Sequence, residues 1–258
     1  MNNKIIINKD NLKIDCEGVQ YKNGKLLFLN SGDYVIEYVD SSRIHLDISI
    51  LDCVLVKLFI FSKHNDVSVD NHYVLGENSQ LLLFQFYDNL SVSEKVMIDL
   101  NGKNSKYYQA FSSVSHGCEE YHIIVNHNNE GVSSDICNKC IGLDGSKIFL
   151  QIDSNLEKGN EGCIMDQSSR ILTLGDVAAK IIPNMFIEED SVEARHGSVI
   201  GSFDEDEVFY LMSRGISHDE AVLLLIKGFL FSNMVVDLDK REYIMNSILK
   251  LRGVEDES

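Results

Sequence analysis

The first two hundred residues form a succession of short strand-forming runs with no room for a helix between them. Lys4–Ile7, Lys25–Leu29, Asp33–Val39, Arg43–Leu51, Val54–Phe61, Leu81–Phe86, Lys95–Leu100 and Glu120–Val125 are each rich in Ile, Leu, Val, Phe and Tyr. Asn23-Gly24, Asn101-Gly102 and Asp144-Gly145 supply turn chemistry between such runs. Successive runs start roughly 10 to 20 residues apart, too close for the regular crossover helices of a βαβ fold. Two architectures survive: a closed or sandwiched antiparallel sheet, and a parallel β-helix. No Trp and a single Pro, Pro183, leave composition neutral between them, and no repeat is strict enough to choose.

The pattern within the runs says how they are buried. Arg43–Leu51 alternates, with Ile44, Leu46, Ile48 and Ile50 on one face and His45, Asp47 and Ser49 on the other. That is a half-buried strand. Leu81–Phe86 is apolar on both faces, which predicts a second layer packed over that part of the sheet.

Near residue 202 the period changes from strand to helix, dividing the chain into a β core over 1–201 and a helical subdomain over 202–258. Ser202-Phe-Asp-Glu205 has the form of a capping box, followed by the apolar stripe Val208, Phe209, Leu211 and Met212. Gly215 stands where a helix ends in a left-handed residue. Ser217-His-Asp-Glu220 is a second capping box opening a helix through Ala221–Phe231, and Arg241–Leu251 is a third helical candidate before Gly253.

Charge and hydropathy narrow the function. With 23 basic and 40 acidic residues the net charge is −17, which repels phosphate backbones and anionic membrane surfaces. The longest apolar stretch, Ala221–Phe231, contains Lys227 and Gly228 and is about half the length of a bilayer span. The N-terminal MNNKIIINKDN has neither a signal-peptide apolar region nor a small-residue cleavage site. A cytoplasmic protein that binds neither nucleic acid nor membrane is expected. The six cysteines, Cys16, Cys53, Cys118, Cys137, Cys140 and Cys163, are then expected as thiols.

Most local motifs have an ordinary reading that outweighs the chemical one. Cys137-Asn-Lys-Cys140 lacks the second CxxC of a zinc site and the βαβ context of a redox site, so it reads as two thiols on or beside a strand. His122, near His116 and His127, reads as a structural histidine sharing a face with Ile124. Glu188–Asp190 reads as a solvated turn, and Asp204–Glu207 as acidic charge at a helix N-terminus. No GxSxG elbow, GxxxxGK[ST] loop or GxGxxG turn is present, so neither a serine hydrolase nor nucleotide binding by this chain is supported.

His196 differs because it sits in the most densely patterned segment, Pro183 to Ile216, where an imidazole is a competent iron ligand. The ordered series Pro183–Ile187, His196-Gly197, Ser198–Gly201, Asp204–Glu207, Val208-Phe-Tyr-Leu-Met-Ser-Arg-Gly-Ile216 and Glu220-Ala221 resembles the SufB/SufD family, the scaffold subunits of SUF-type iron–sulfur cluster assembly. Gly131-Val-Ser-Ser134 and Gln167–Leu172 are weaker traces of the same family. The resemblance is strong over about 165–230, faint over 120–165 and not visible before that.

The resemblance implies a right-handed parallel β-helix followed by helices, and a non-enzymatic role. It implies pairing with a second SufB/SufD-type chain, docking of a SufC-type ABC ATPase on the C-terminal helices, and a sulfur donor protein. A transient iron–sulfur cluster would be the cargo, with ATP bound in trans. The implied site residues are His196 for cluster or metal, Cys163 for sulfur, and Phe209, Tyr210 and Arg214 for ATPase docking. Cys163 lies just upstream of the Gln167–Leu172 match and would need a lowered thiol pKa to act. Arg195, next to His196, has two readings: positive charge for a persulfide or cluster, or a side chain that simply faces solvent.

The family pattern is not kept throughout. SufD-type members carry a Cys two residues before the His, where this chain has Ala194. SufB-type members carry Glu beside it, where this chain has Arg195 and Gly197. Phe209–Ile216 is SufB-like and His196-Gly197 is SufD-like, so homodimer and heterodimer both stay open. A cluster-free structural subunit that only docks the ATPase is the alternative function. A β-helix acyltransferase or sugar-active enzyme would need hexapeptide repeats or a carboxylate pair on one strand face, and neither is present.

Overall fold

The computed structural model describes residues 3–8, 11–39, 43–62, 66–87, 89–232, 234, 241–242 and 244–246. In chain order the strands begin with β1 (Asn3–Asn8), β2 (Asn11–Asp15), β3 (Val19–Lys22), β4 (Lys25–Phe28), β5 (Gly32–Val39), β6 (Arg43–Ile50), β7 (Leu55–Ser62), β8 (Asp66–Leu75) and β9 (Gln80–Tyr87). They continue with β10 (Ser91–Leu100), β11 (Lys106–Ser115), β12 (Cys118–His127), β13 (Ser133–Leu143), β14 (Lys147–Leu156), β15 (Ile164–Leu174), β16 (Ala178–Ile187) and β17 (Glu193–Gly201). Helices α1 (Glu205–Ser213) and α2 (His218–Phe231) follow.

Alternate strands join alternate sheets. One sheet runs β17-β15-β13-β11-β9-β7-β5-β1-β2 and the other β16-β14-β12-β10-β8-β6-β4-β3. Each later coil lays one strand on each sheet in parallel register with the coil below, giving a parallel β-solenoid of about 7 turns. This resolves the choice that strand spacing left open. The repeat is hidden in the sequence because coil length drifts: Asp66 pairs with Ser91, 25 residues on, whereas Lys147 pairs with Ala178, 31 residues on.

Every second side chain points inward, which follows from the period-two geometry of a strand. In β6 the expected residues Ile44, Leu46, Ile48 and Ile50 are buried. Rows such as Ile98–Val125 and Ile123–Ile152 stack coil on coil into one continuous core. The turns set how closely coils approach. At one corner Gly102 packs directly on the Gly76 backbone, and its N–H donates to Leu75 O at 3.0 Å. Pro183 falls on the edge strand β16, where its missing N–H is tolerated.

The second layer expected over Leu81–Phe86 is α2. Phe59, Phe84, Phe86, Ala110, Ile141 and Leu172 project from the outer face of the nine-stranded sheet and pack against Val222, Ile226, Phe229 and Leu230. Phe59 and Phe84 stack at 4.9 Å with rings 13° apart. Ser217 caps α2 in a complete capping box with Glu220, and Gly215 takes φ +88°, both as the sequence predicts. The expected box at Ser202–Glu205 is corrected: the N-cap of α1 is Asp204, whose carboxylate accepts the N–H of Asp206. Phe203 packs on the α2 cluster and the helix begins after it, leaving the adjacent Asp204 carboxylate to meet the helix start. Of the expected third helix, 241–242 and 244–246 are helical, and the rest lies outside the described residues.

Candidate functional site

The two ends of the solenoid are finished differently. At one end β2 and β3 fold back antiparallel on β1 and β4, so the parallel ladders stop in hairpins. At the other, β16 and β17 are the outermost strands of their sheets. Phe186 (57%), Val199 (54%) and Ile200 (46%) are about half exposed there. An apolar, unpaired edge is a surface that proteins normally protect.

His196 is part of this open layer. β17 pairs with β15 in the register Met165↔Ala194, Gln167↔His196, Ser169↔Ser198 and Ile171↔Ile200. All four β15 residues are buried and inward. Ala194, His196, Ser198 and Ile200 therefore extend inward rows onto a layer that no further strand covers among the described residues. His196 is accordingly exposed. Arg195 belongs to the opposite face, where its Nε lies 3.1 Å from the Asp166 carboxylate. Its charge is spent on the outer wall and is not aimed at His196.

Cys163 is placed elsewhere. It precedes β15 and is 1% exposed, with Sγ 3.2 Å from Asn160 O and 3.3 Å from Asn129 O. Burial pushes its thiol pKa up, away from the thiolate that sulfur transfer requires. It is four positions before Gln167, so about 13 Å of strand separates it from the His196 row. Cys137 and Cys140 are an odd number of residues apart in one strand and therefore occupy opposite faces. Cys137 is half-buried outside, while Cys140 is sealed inside with its thiol pKa pushed up by burial.

The other polar motifs are satisfied locally. His122 Nε2 lies 2.6 Å from Asp153 Oδ2 on the outer face of the eight-stranded sheet. His127 is buried, 2.8 Å from Ser134 Oγ and 3.1 Å from Asn155 O. Glu189 accepts the N–H groups of Gly159, Asp190 and Ser191, which makes the acidic turn a structural clip. Among the described residues no three His, Cys, Asp or Glu side chains converge to hold a metal ion.

The helices present a second surface. α1 buries none of its residues, and Phe209 is 72% and Tyr210 55% exposed. Arg214 donates to Tyr210 OH at 3.1 Å and lies over that ring. A shallow groove of about 380 Å³ runs beside Tyr210 between Asp206, Leu211, Leu224 and Leu225. α1 thus offers an apolar face of its own, while α2 is fixed to the solenoid wall.

Sequence reading missed the polar interior of the middle coils. Tyr87 OH and Gln85 Nε2 donate to Glu94 Oε1 at 2.6 and 2.7 Å, and Gln109 Nε2 donates to Gln85 Oε1 at 3.1 Å. Ser113 Oγ donates to Glu119 Oε2 at 2.8 Å, and Gln167 Nε2 donates to Ser154 Oγ at 2.7 Å. The available signal was phase. In Ser91–Leu100, Glu94 holds the same alternation phase as Val92, Val96 and Ile98.

The profile of the SUF system FeS cluster assembly, SufBD core domain, matches residues 59–229, reaching much further back than the motifs legible by eye. The iron–sulfur cluster assembly protein SufD of Bacillus subtilis is 41% identical over 86 residues, covering 33% of this chain and 20% of that protein. A SufBD family protein of Mycobacterium leprae is 48% identical over 60 residues, covering 23% and 15%. One from Staphylococcus saprophyticus is 29% identical over 105 residues, covering 40% and 23%. The chain thus spans less than a quarter of the length of each of these relatives in the aligned region. No helix among the described residues is long and apolar enough to cross a membrane.

Proposed function

Because the chain belongs to the SufBD family of iron–sulfur cluster assembly proteins, we propose that it is a non-catalytic scaffold subunit that pairs through the open end of its solenoid and is moved by an ABC-type ATPase docked on α1. The observation that carries this reading is the open β16–β17 layer, in which His196 and Ile200 share an exposed inward row while Phe186 and Val199 are exposed on the outer faces of the same layer. A second SufB/SufD-type chain stacked there would bury that edge, with ~1.5 kcal/mol or more from each large side chain covered. His196 would then lie at the centre of the pair.

Iron and sulfur enter this reading as cargo. His196 supplies one donor, and the other ligands would come from the partner chain or the sulfur donor protein. A buried Cys163 fits poorly as a sulfur carrier without local opening. On the helical side, Phe209, Tyr210 and Arg214 form the ATPase contact. α2 would transmit the motion, since Phe229 and Leu230 lock it to the wall carrying β13 and β15. The absence of phosphate-binding motifs is consistent with ATP hydrolysis in the partner.

The test is an affinity pull-down of the tagged chain from its own cytosol, with and without ATP, followed by cluster reconstitution. Recovery of an ABC-type ATPase, lost when Phe209 and Tyr210 are both changed to Ala, is expected. Cluster formation should fall in His196→Ala while ATPase binding persists. Unchanged reconstitution in His196→Ala would favour the cluster-free structural subunit. Failure to recover any ATPase would overturn the coupling.

A further inference from the structure

The middle coils enclose two carboxyl groups that no cation among the described residues meets. Glu94 is 3% and Glu119 1% exposed, both on the inward face of the eight-stranded sheet. The titratable groups facing Glu94 are Tyr38 on β5, Tyr73 on β8, Tyr87 on β9, Tyr107 on β11 and Tyr121 on β12. Those facing Glu119 are Tyr121 and, on β13, Cys140. Each is neutral at pH 7, its pKa pushed up by burial. An ionised carboxylate in such a place is costly, because only hydrogen bonds stand in for water.

Hydrogen bonding is also incomplete on each carboxyl. Glu94 Oε1 accepts from both Tyr87 and Gln85, but Glu94 Oε2 has no partner. Asn71 Oδ1, across the β8–β10 ladder, is a buried acceptor that also lacks a donor. Glu119 Oε2 accepts from Ser113, while Glu119 Oε1 is unpartnered. Tyr73 OH and Tyr121 OH, both facing Glu94, are also unpartnered, and a protonated carboxyl can donate as well as accept among such neutral groups.

We propose that the folded solenoid carries a proton on Glu94 and another on Glu119, and that these two carboxylic acids make the middle coils a proton-linked element that loosens when they ionise. Burial is the largest cause acting on both, and it pushes each pKa up to about 7 against the partial opposition of the Tyr87 and Gln85 hydrogen bonds at Glu94 and of the Ser113, Tyr121 and Ser115 hydroxyls at Glu119. The unfolded chain releases these protons first, near pH 4.5. Between pH 4.5 and about 7 the folded state therefore binds more protons, and stability falls as pH rises. For each carboxyl the unfolding constant should grow on the order of 100-fold from pH 4.5 to pH 8. The inference is independent of the pairing and docking surfaces.

Infrared difference spectroscopy of the full chain reads the protons directly. A carboxylic-acid carbonyl band from a buried site is expected at pH 6, reduced in Glu94→Gln and in Glu119→Gln. Urea unfolding should show both variants gaining stability relative to wild type as pH rises from 5 to 8. No carboxylic-acid band in wild type at pH 6 would overturn the proposal, even if neither variant folds. Variants that lose stability relative to wild type on raising the pH to 8 would overturn it equally, since that outcome means the ionised form is the one the fold wants.

Discussion

Replacing Gly102 with Ala tests whether the coils stack as tightly as the geometry requires. A Cβ at that position would sit 2.0 Å from Gly76 C, 2.1 Å from Glu77 N and 2.3 Å from Gly76 O. All three are backbone atoms of the coil below, so no side chain can swing aside. Nor can the corner retreat freely, because Gly102 N–H donates to Leu75 O and Ser105 N–H donates to Gly102 O. Overpacking of this kind costs roughly 1–3 kcal/mol. Two strained hydrogen bonds add about 1 kcal/mol each. The expected loss is therefore about 3–5 kcal/mol, or a fall in melting temperature of roughly 6–20 °C for a domain of this size. Two companion variants isolate the cause. Gly145 has φ +80° and open space around it, so Gly145→Ala should cost only the left-handed strain of about 1–2 kcal/mol. Gly228 lies inside α2 with nothing near its missing Cβ, so Gly228→Ala should gain up to about 1 kcal/mol of helix propensity. Urea denaturation followed by circular dichroism measures all three. A Gly102→Ala protein as stable as Gly145→Ala would refute the claim that this corner is close-packed.

Two further outcomes follow from buried groups. Burial holds the His127 pKa down to about 4, partly opposed by its hydrogen bonds to the Asn155 and Val125 backbone. The unfolded imidazole takes up a proton near its ordinary value of about 6.5, so stability is lost as pH falls from 6.5 to 4, by about 3 kcal/mol, with no further loss below. His127→Gln should flatten that limb of the acid-unfolding profile, and a profile unchanged by the substitution would remove His127 as its source. In thiol labelling with iodoacetamide at pH 8, exposed Cys53 and Cys118 should react in the native protein, whereas buried Cys140 and Cys163 should react only after unfolding. Native labelling of Cys163 at the rate of Cys118 would contradict its enclosure and revive it as a sulfur carrier.

How much of this was legible in the sequence depends on the length scale of the signal. Strand existence was legible because it needs only a few residues of alternation, as in Ile44, Leu46, Ile48 and Ile50. The α2 cap was legible because a capping box is a four-residue pattern with its own hydrogen bonds. Coil stacking was not, because it joins residues 22 to 31 positions apart with a drifting interval, and no local propensity records that distance. The misplaced cap of α1 has the same origin. Ser202 and Asp204 are both competent caps locally, and the tertiary packing of Phe203 decides between them.

The candidate site divides along the same line. His196 was found because its segment is densely patterned, yet what gives it meaning is that β17 has no strand above it among the described residues, and this belongs to the fold and not to any residue. Arg195 illustrates the difference. Adjacency in sequence suggested a cation beside the imidazole, but adjacent strand residues face opposite ways, so the guanidinium goes to Asp166 and the imidazole to the open layer. Ala194, two residues away, is the residue that shares the imidazole's face. The position where the resemblance to SufD-type proteins implies a Cys is thus on the face of His196, and here it is Ala194. If the proposed scaffold role holds, a sulfur ligand beside His196 would come from a partner chain or from the sulfur donor protein, so a second protein would be a chemical requirement as well as a packing one. In the proposed pairing, exposed Ile200 would supply apolar contact on the face of His196, and Phe186 and Val199 on the outer faces of the same layer.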